Sequence, residues 1–245
     1  MKILVCISQV PDTTTKITFT QDKKAFNTQG VQFIINPYDE IALTRGLELK
    51  ESAGGTVTVI TVGGANTEPN IRKALAIGAD DGIRVNAEPT DAYFTATQIA
   101  EAAKKNNYDL ILTGRESIDY NGAQVGMMLA ELLGLPSVSV VTKLDLTGTE
   151  ATVEREIDGG KETVMVSLPF VASAQKGMAE PRIPNMRGIM TARTKPLTVV
   201  EPVGDLKLSS SAAYENPPAK TAVKLVDKEK PEELINLLHT EAKII

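Results

Sequence analysis

The chain has 245 residues, 42% hydrophobic and 23% charged, a composition that fits one large globular domain or one domain with an extension and excludes collagen-like, coiled-coil and wholly disordered classes. Twenty-six Lys and Arg against 31 Asp and Glu give a formal charge of -5, so the chain as a whole is not a basic nucleic-acid or lipid binder. A single cysteine, Cys6, and a single histidine, His239, exclude an internal disulfide and a cysteine-rich metal site, and would force any Ser-His-Asp or Cys-His centre to draw on the last few residues.

The first apolar run, Ile3 to Ile7, is too short for a signal segment, and no run approaches the roughly 18 apolar residues of a membrane span. The expected location is cytoplasmic, or the mitochondrial matrix if the source is eukaryotic, without direct membrane insertion. Through residue 142, short β-branched runs alternate with longer helical patterns, which predicts a mostly parallel α/β sheet with helices on both faces. Strands are expected over 2–7, 56–62, 82–85, 109–113 and 137–142, and helices over 37–52, 68–77, 92–105 and 123–133, the last with Leu129, Leu132 and Leu133 as its buried stripe. Segments 151–157 and 163–168, joined by Asp158-Gly159-Gly160, read as a β-hairpin, and Pro169 precedes a short strand over 170–173. From Gly177 onward proline, basic residues and serine accumulate, with Ser209-Ser210-Ser211 and Asn216-Pro217-Pro218 outside any regular core element. The expected division is an α/β domain over 1–195 and an extended C-terminal arm over 196–245. A short helix over 231–239 ends the arm, with Pro231 in its first turn and Leu234, Leu237 and Leu238 on one side.

Ligands in open parallel sheets sit at the carboxyl ends of strands, and the segment from Gly114 to Gly126 follows the strongest strand. It spends about nine residues before the next helix, more than the roughly two to six typical of such loops. Backbone N–H groups near Ala123, Val125 and Gly126 could hold a phosphate, with Ser117, Asn121 and Gln124 as further donors and Asp119 suited to a ribose hydroxyl. An ordinary long surface loop has the same composition. There is no GxGxxG after the first strand and no GxxxxGK[ST] anywhere, so neither the dinucleotide fingerprint nor the P-loop is present. Asn36-Pro37-Tyr38-Asp39-Glu40 reads as a capped helix start, with Asn36 as N-cap, Pro37 at the first position and acids in the first turn. Its acids disfavour a phosphate there, whereas Tyr38 suits a flat adenosine or flavin ring.

Between Pro181 and Val200 there are four bases, Arg182, Arg187, Arg193 and Lys195, and no acid, with Ile183, Met186, Ile189 and Met190 interleaved. Mobile methionines beside arginines suit an adaptable surface for protein partners, and an amphipathic helix packed on its own domain fits the same pattern. Nucleic acid is disfavoured because the segment has no aromatic residue for base stacking.

Val10-Pro11-Asp12, the Asn36 to Ala42 helix start, Ala74 to Asp80, the Gly114 to Gly126 loop, Val153 to Gly160, and Glu180-Pro181-Arg182 leading to Gly188-Ile189-Met190 occur in this order. Together they resemble the β subunit of electron transfer flavoprotein over nearly the whole chain. The resemblance implies an adenine-nucleotide α-hydrolase-like fold, a heterodimer with an α subunit that carries most contacts to a redox-active FAD, and no catalytic residues in this subunit. Electrons would come from acyl-CoA and related dehydrogenases, as in fatty acid oxidation, and pass to a quinone oxidoreductase. Carried across residue by residue, a structural AMP would be held by Cys6, Asn36, Pro37, Tyr38, Asp39, Val62 and the stretch Arg115, Glu116, Ser117, Ile118, Asp119, Tyr120, Asn121, Gly122, Ala123, Gln124, Val125 and Gly126. Cys6 would then be a backbone and packing contact. Met186, with Arg187, Ile189 and Met190, matches the family's partner-recognition loop, and Glu156 matches an acid facing the flavin domain of the α subunit.

The flavin-proximal tyrosine of some relatives falls on Thr13, so no aromatic flavin contact is carried there. In the nucleotide loop Ile118-Asp119-Tyr120-Asn121-Gly122 stands where many ordinary members have consecutive acids and electron-bifurcating members have Asp-Gly-Asp-Thr. Absence of the bifurcating signature favours AMP over a second FAD. A stand-alone nucleotide-binding enzyme or sensor built on the same loop is a further alternative.

Overall fold

The computed structural model describes residues 1–220 and 222–245. They divide into two units, Met1–Ile17 with Thr28–Ala212, and Thr18–Asn27 with Ala213–Ile245. The first unit holds strands β1 (Lys2–Cys6), β2 (Gln9–Pro11), β3 (Phe33–Ile35), β4 (Thr56–Val62), β5 (Asp81–Val85), β6 (Leu110–Gly114), β7 (Ser137–Thr147), β8 (Glu150–Ile157), β9 (Gly160–Ser167), β10 (Phe170–Ala174) and β11 (Leu197–Val200). Its helices are α1 (Pro37–Ala53), α2 (Glu68–Ile77), α3 (Ala92–Ala103), α4 (Val125–Leu133) and α5 (Met186–Ala192).

One nine-stranded sheet runs in the order β11-β5-β4-β1-β6-β10-β7-β8-β9. It is parallel from β11 to β7 and antiparallel through β8 and β9. The mostly parallel α/β architecture expected from the alternation of patterns is therefore present. Burial on both faces explains why β1 is continuously apolar rather than alternating. Ile3 and Val5 pack into one core with Leu43 and Leu47 of α1 and Leu75 of α2, while Leu4 and Cys6 pack into another with Phe94 and Ile99 of α3 and Leu129 of α4.

Several boundaries depart from the sequence reading, each for a local reason. The last helix of the parallel region starts at Val125 rather than Ala123, because Ala123 takes φ 51°, a left-handed conformation that no α-helix accepts. Leu129 is fully buried, but Leu132 and Leu133 are only partly so. β7 runs on to Thr147 and pairs with β8, so the expected hairpin is the outer half of a three-stranded meander. Residues 197–200, read as the beginning of the arm, form β11 against β5. The small β2–β3 pair was not expected as an element, and α5 is a seven-residue helix in the segment for which an amphipathic helix was one of two readings.

The second unit has its own small contacts. Phe19 bridges to Phe26, the Phe19 and Tyr214 rings stack at 5.3 Å, and Lys23 pairs with Glu215 at 3.2 Å. It ends in helix α6 (Pro231–Leu237), followed by a π-helical turn over Leu238–Ala242. Leu234 and Ile235 of α6 are exposed. Among the described residues, no helix is long and apolar enough to cross a membrane.

Phe170 is the largest fully buried side chain, at the foot of the strand joining the parallel sheet to the meander. Phe170→Ala is expected to lower stability by about 3 to 5 kcal/mol, and Phe170→Leu by clearly less, in denaturant titrations followed by circular dichroism.

Candidate functional site

The order β4-β1-β6 creates a switch point, because the chain leaves β1 outward to β4 on one side and returns to β6 on the other. Crevices for ligands open outside the carboxyl ends of strands at such points. Here the strand ends are Cys6 and Gly114, and the start of α1 lies directly against both.

Asp39, in the first turn of α1, is 5% exposed. Its Oδ2 accepts hydrogen bonds from the Ser8 backbone N–H at 2.7 Å and the Ser8 hydroxyl at 2.7 Å, while Oδ1 accepts from the Gly114 N–H at 2.9 Å. One carboxylate therefore joins the ends of β1 and β6 to the start of α1. The approach is close enough to require glycine at 114, since a Cβ there would lie 2.2 Å from Asp39 Oδ1 and 2.8 Å from Tyr38 Cβ. Burial pushes the Asp39 carboxyl up to about 6, and the Ser8, Asn36 and Gly114 hydrogen bonds oppose that rise.

Asn36 occupies the N-cap position of α1 but makes no side-chain cap bond. Its fully buried amide reaches across instead, donating from Nδ2 to the Glu116 carbonyl at 2.8 Å and accepting from the Ile118 N–H at 3.3 Å. A backbone bond from Asn36 N–H to the Ser8 carbonyl at 3.0 Å completes the junction. The sequence reading took these residues as a conventional helix start. The structure uses them to hold the loop after β6.

That loop is anchored at its beginning and open at its tip. The Arg115 N–H donates to Ala174 of β10 at 2.9 Å, Arg115 pairs with Glu116 at 3.3 Å, and its guanidinium lies 5.9 Å from the Tyr38 ring centroid. Tyr38 thus meets a cation on one side. Ser117 and Ile118 are half-buried, whereas Asp119, Tyr120, Asn121, Gly122, Ala123 and Gln124 are exposed. Asn121 and Ala123 both take φ 51°, unfavourable for residues with a Cβ and the kind of strain that clusters at ligand sites. Gln124 caps α4 without a side-chain bond, leaving its amide outside the helix, and Val125 and Gly126 form the first turn.

Beneath that turn lies an unsatisfied group that sequence reasoning missed. Thr113, the last buried residue of β6, has an Oγ1 with no hydrogen-bond partner, and a Cβ at Gly126 would lie 2.8 Å from it. An orphaned hydroxyl at the foot of a helix N-terminus is chemically suited to a phosphate-bearing ligand or its bound water. Cys6 and Val62 are buried at the carboxyl ends of β1 and β4. Burial pushes the Cys6 thiol up, with the Asp39 charge as a secondary cause, so Cys6 stays protonated and acts as a packing contact. Ser8 also escaped sequence reading, because only its tertiary position gives it a role.

The candidate docking residues lie elsewhere. Met186, Arg187, Ile189 and Met190 sit on α5, whose N-terminus is capped by Asn185 accepting from Gly188 N–H at 2.8 Å. Arg72 of α2 donates to the Ala192 and Lys195 carbonyls at 2.8 and 2.7 Å, and Lys195 donates back to Leu75 and Ala79. This mounting leaves Met186 75% and Met190 69% exposed. The basic rim is smaller than the sequence suggested. Arg182 is held bidentately by Glu51 and Lys195 by the end of α2, leaving Arg187 and Arg193 with no ion pair among the described residues. On the meander, Glu156 accepts from the Gln175 side chain at 2.8 Å. A separate groove of about 460 Å³, lined by residues including Thr58, Ile83, Gln98 and Tyr108, contains none of the residues singled out from the sequence.

The family described as Electron transfer flavoprotein domain matches residues 24–204. The chain is 39% identical to the electron transfer flavoprotein subunit beta of Bacillus subtilis, with 100% of both chains covered. It is 39% identical to the protein of the same name from Syntrophomonas wolfei over 93% of this chain and 91% of that one. The human protein of that name is 36% identical over 91% of each.

Gly114→Ala is expected to force Asp39 away from the strand ends and lower stability by about 1 to 3 kcal/mol. Gly122→Ala, in open space, is expected to change the melting temperature little. Equal thermal shifts for the two variants would contradict the Asp39 junction.

Proposed function

This chain belongs to the electron transfer flavoprotein family as a β subunit, and on that premise we propose that it is a non-catalytic electron-carrier subunit that seats AMP structurally at the Asp39 edge. The observation that carries the nucleotide reading is the switch-point crevice, where Asn36 and Asp39 draw the Gly114 to Gly126 loop against the ends of β1 and β6. Thr113 and the first turn of α4 suit the phosphate, Asp119 the ribose hydroxyls, and Tyr38 with the apolar ends of β1 and β4 the adenine side. In this reading the nucleotide adds stability with its occupancy and does not turn over. The loop sequence Ile118 to Gly122 lacks the bifurcating Asp-Gly-Asp-Thr, which supports AMP rather than a second FAD.

The partner in this reading is an α subunit that carries most contacts to the redox-active FAD, and that FAD supplies the one-electron chemistry. This chain contributes position and docking. Glu156, oriented by Gln175, faces the swinging flavin domain, and the exposed Leu234 and Ile235 of α6 support docking of the arm on the α subunit. Met186 and Met190 form an adaptable anchor for acyl-CoA and related dehydrogenases, with Arg187 and Arg193 beside them. Electrons leave to a quinone oxidoreductase. A bacterial chain would work in the cytoplasm and a eukaryotic one in the mitochondrial matrix.

Denaturing extraction of the co-expressed heterodimer is expected to yield one FAD and one AMP per dimer by chromatography. Two FAD without AMP would place the protein with bifurcating members, and neither nucleotide would overturn the reading. Separately, Met186→Ala is expected to weaken transfer from a dehydrogenase by about 1 to 3 kcal/mol in the apparent second-order rate constant with flavin content unchanged. Unaltered kinetics with several dehydrogenases would remove the anchor role.

A further inference from the structure

We propose that the long loop between β2 and β3 carries a latch for the C-terminal arm: a hairpin over 18–27 grips Tyr214 and Glu215, so that the residues beyond them leave the hairpin in a set direction and meet an α subunit already ordered. The inference rests on the heterodimer reading above and adds the element that prepares the arm for docking.

The second unit is made of two stretches, Thr18–Asn27 and Ala213–Ile245. The first continues into the other unit at both of its ends, the second only through Ala212. A segment tethered at one end keeps many conformations unless something fixes it near its root, and ordering it later costs free energy on association. The hairpin supplies that fixture. Phe19 bridges to Phe26, the Thr20 N–H donates to the Ala25 carbonyl at 2.9 Å, and the Asn27 N–H donates to the Thr18 carbonyl at 2.9 Å. At the tip, Asp22 Oδ1 accepts from the Thr20 hydroxyl at 2.6 Å and from the Lys24 N–H at 3.2 Å, and Lys23 takes φ 56°. The Lys23 carbonyl at this turn accepts from the Tyr214 N–H at 2.8 Å.

The ring contact does most of the gripping. A two-stranded hairpin is marginal by itself, and the Phe19 and Tyr214 rings, 5.3 Å apart with 23° between their planes, stack across it. Both side chains are half-buried among neighbours that are mostly exposed. The Lys23–Glu215 pair at 3.2 Å is open to solvent on both sides and adds little. Asn216-Pro217-Pro218 follows at once. Each proline fixes its own φ and restricts the residue before it, so the direction set at Tyr214 and Glu215 persists beyond the grip. Farther along the arm, Val223, Leu225, Ile235 and Ile244 are 58 to 90% exposed. Apolar side chains gathered and uncovered in this way mark a surface for a partner, which in the heterodimer reading is an apolar track on the α subunit. A latch that orders the root of the arm in advance lowers the cost of laying it there.

The test dilutes the co-expressed heterodimer and reads its dissociation by analytical ultracentrifugation, for the natural chain, Phe19→Ala, Tyr214→Ala and the double variant. Each single substitution is expected to raise the dissociation constant about three- to tenfold. The double variant is expected to match the single ones, because all three remove the same stack. Additive effects would show the two rings meeting the partner separately and would overturn the latch, as would unchanged dissociation constants, and either result leaves the heterodimer reading standing. A natural chain that recovers no second subunit on co-expression would overturn both. Replacing Pro217 and Pro218 together by alanine keeps both rings and loosens only the segment after the grip, so dissociation is expected to rise about two- to fivefold for each proline. An unmoved constant there would overturn the proposal even if the ring variants failed to fold.

Discussion

The first unit depends at its candidate site on one carboxylate accepting three hydrogen bonds. Asp39 lies where a parallel sheet changes direction, and its partners belong to segments that are 31 and 75 residues away in sequence. Removing a carboxylate from water is costly unless its lone pairs are satisfied, and here satisfaction comes from the ends of β1 and β6. The same bonds that offset its burial fix the spacing of the crevice. Gly114 is the steric counterpart of that arrangement, because no side chain fits where the strand end meets Asp39. Asn36 extends the junction into the loop.

The candidate docking helix follows a different logic. Seven residues make a helix too short to be stable by propensity alone, yet α5 is fixed by Asn185 at one end and by Arg72 and Lys195 at the other. Two of the four bases of this segment are thus spent on the chain's own structure, and the apolar side chains of Met186 and Met190 are left projecting from a firm base. A rigid mount with flexible tips suits recognition of more than one partner surface. In the proposed reading, this chain contributes placement rather than bond-making.

Much of the parallel sheet was legible because its strands are buried on both faces and its helices carry three- and four-residue apolar spacing. β4 and α2 have the boundaries that the pattern predicts. The β2–β3 pair was not legible, since three-residue strands leave no periodicity to read. β11 was hidden in a proline-containing, polar stretch, and its pairing with β5 depends on tertiary approach. At the candidate site the sequence singled out the loop and the helix start that the structure brings together, but local capping rules explained Asn36 and Asp39 too easily. Their actual partners, Ser8, Gly114, Glu116 and Ile118, are distant in the chain. The orphaned Thr113 hydroxyl likewise has no sequence signal, because an unsatisfied donor is visible only once its surroundings are built.

Amide hydrogen exchange of the heterodimer with and without added AMP tests most directly whether the Asp39 junction builds the nucleotide seat. The account predicts that AMP slows exchange at Gly114, through residues 115–124 and in the first turn of α4, with Ser8 protected alongside them. Protection confined to the groove beside α3, with the loop after β6 unchanged, would contradict it.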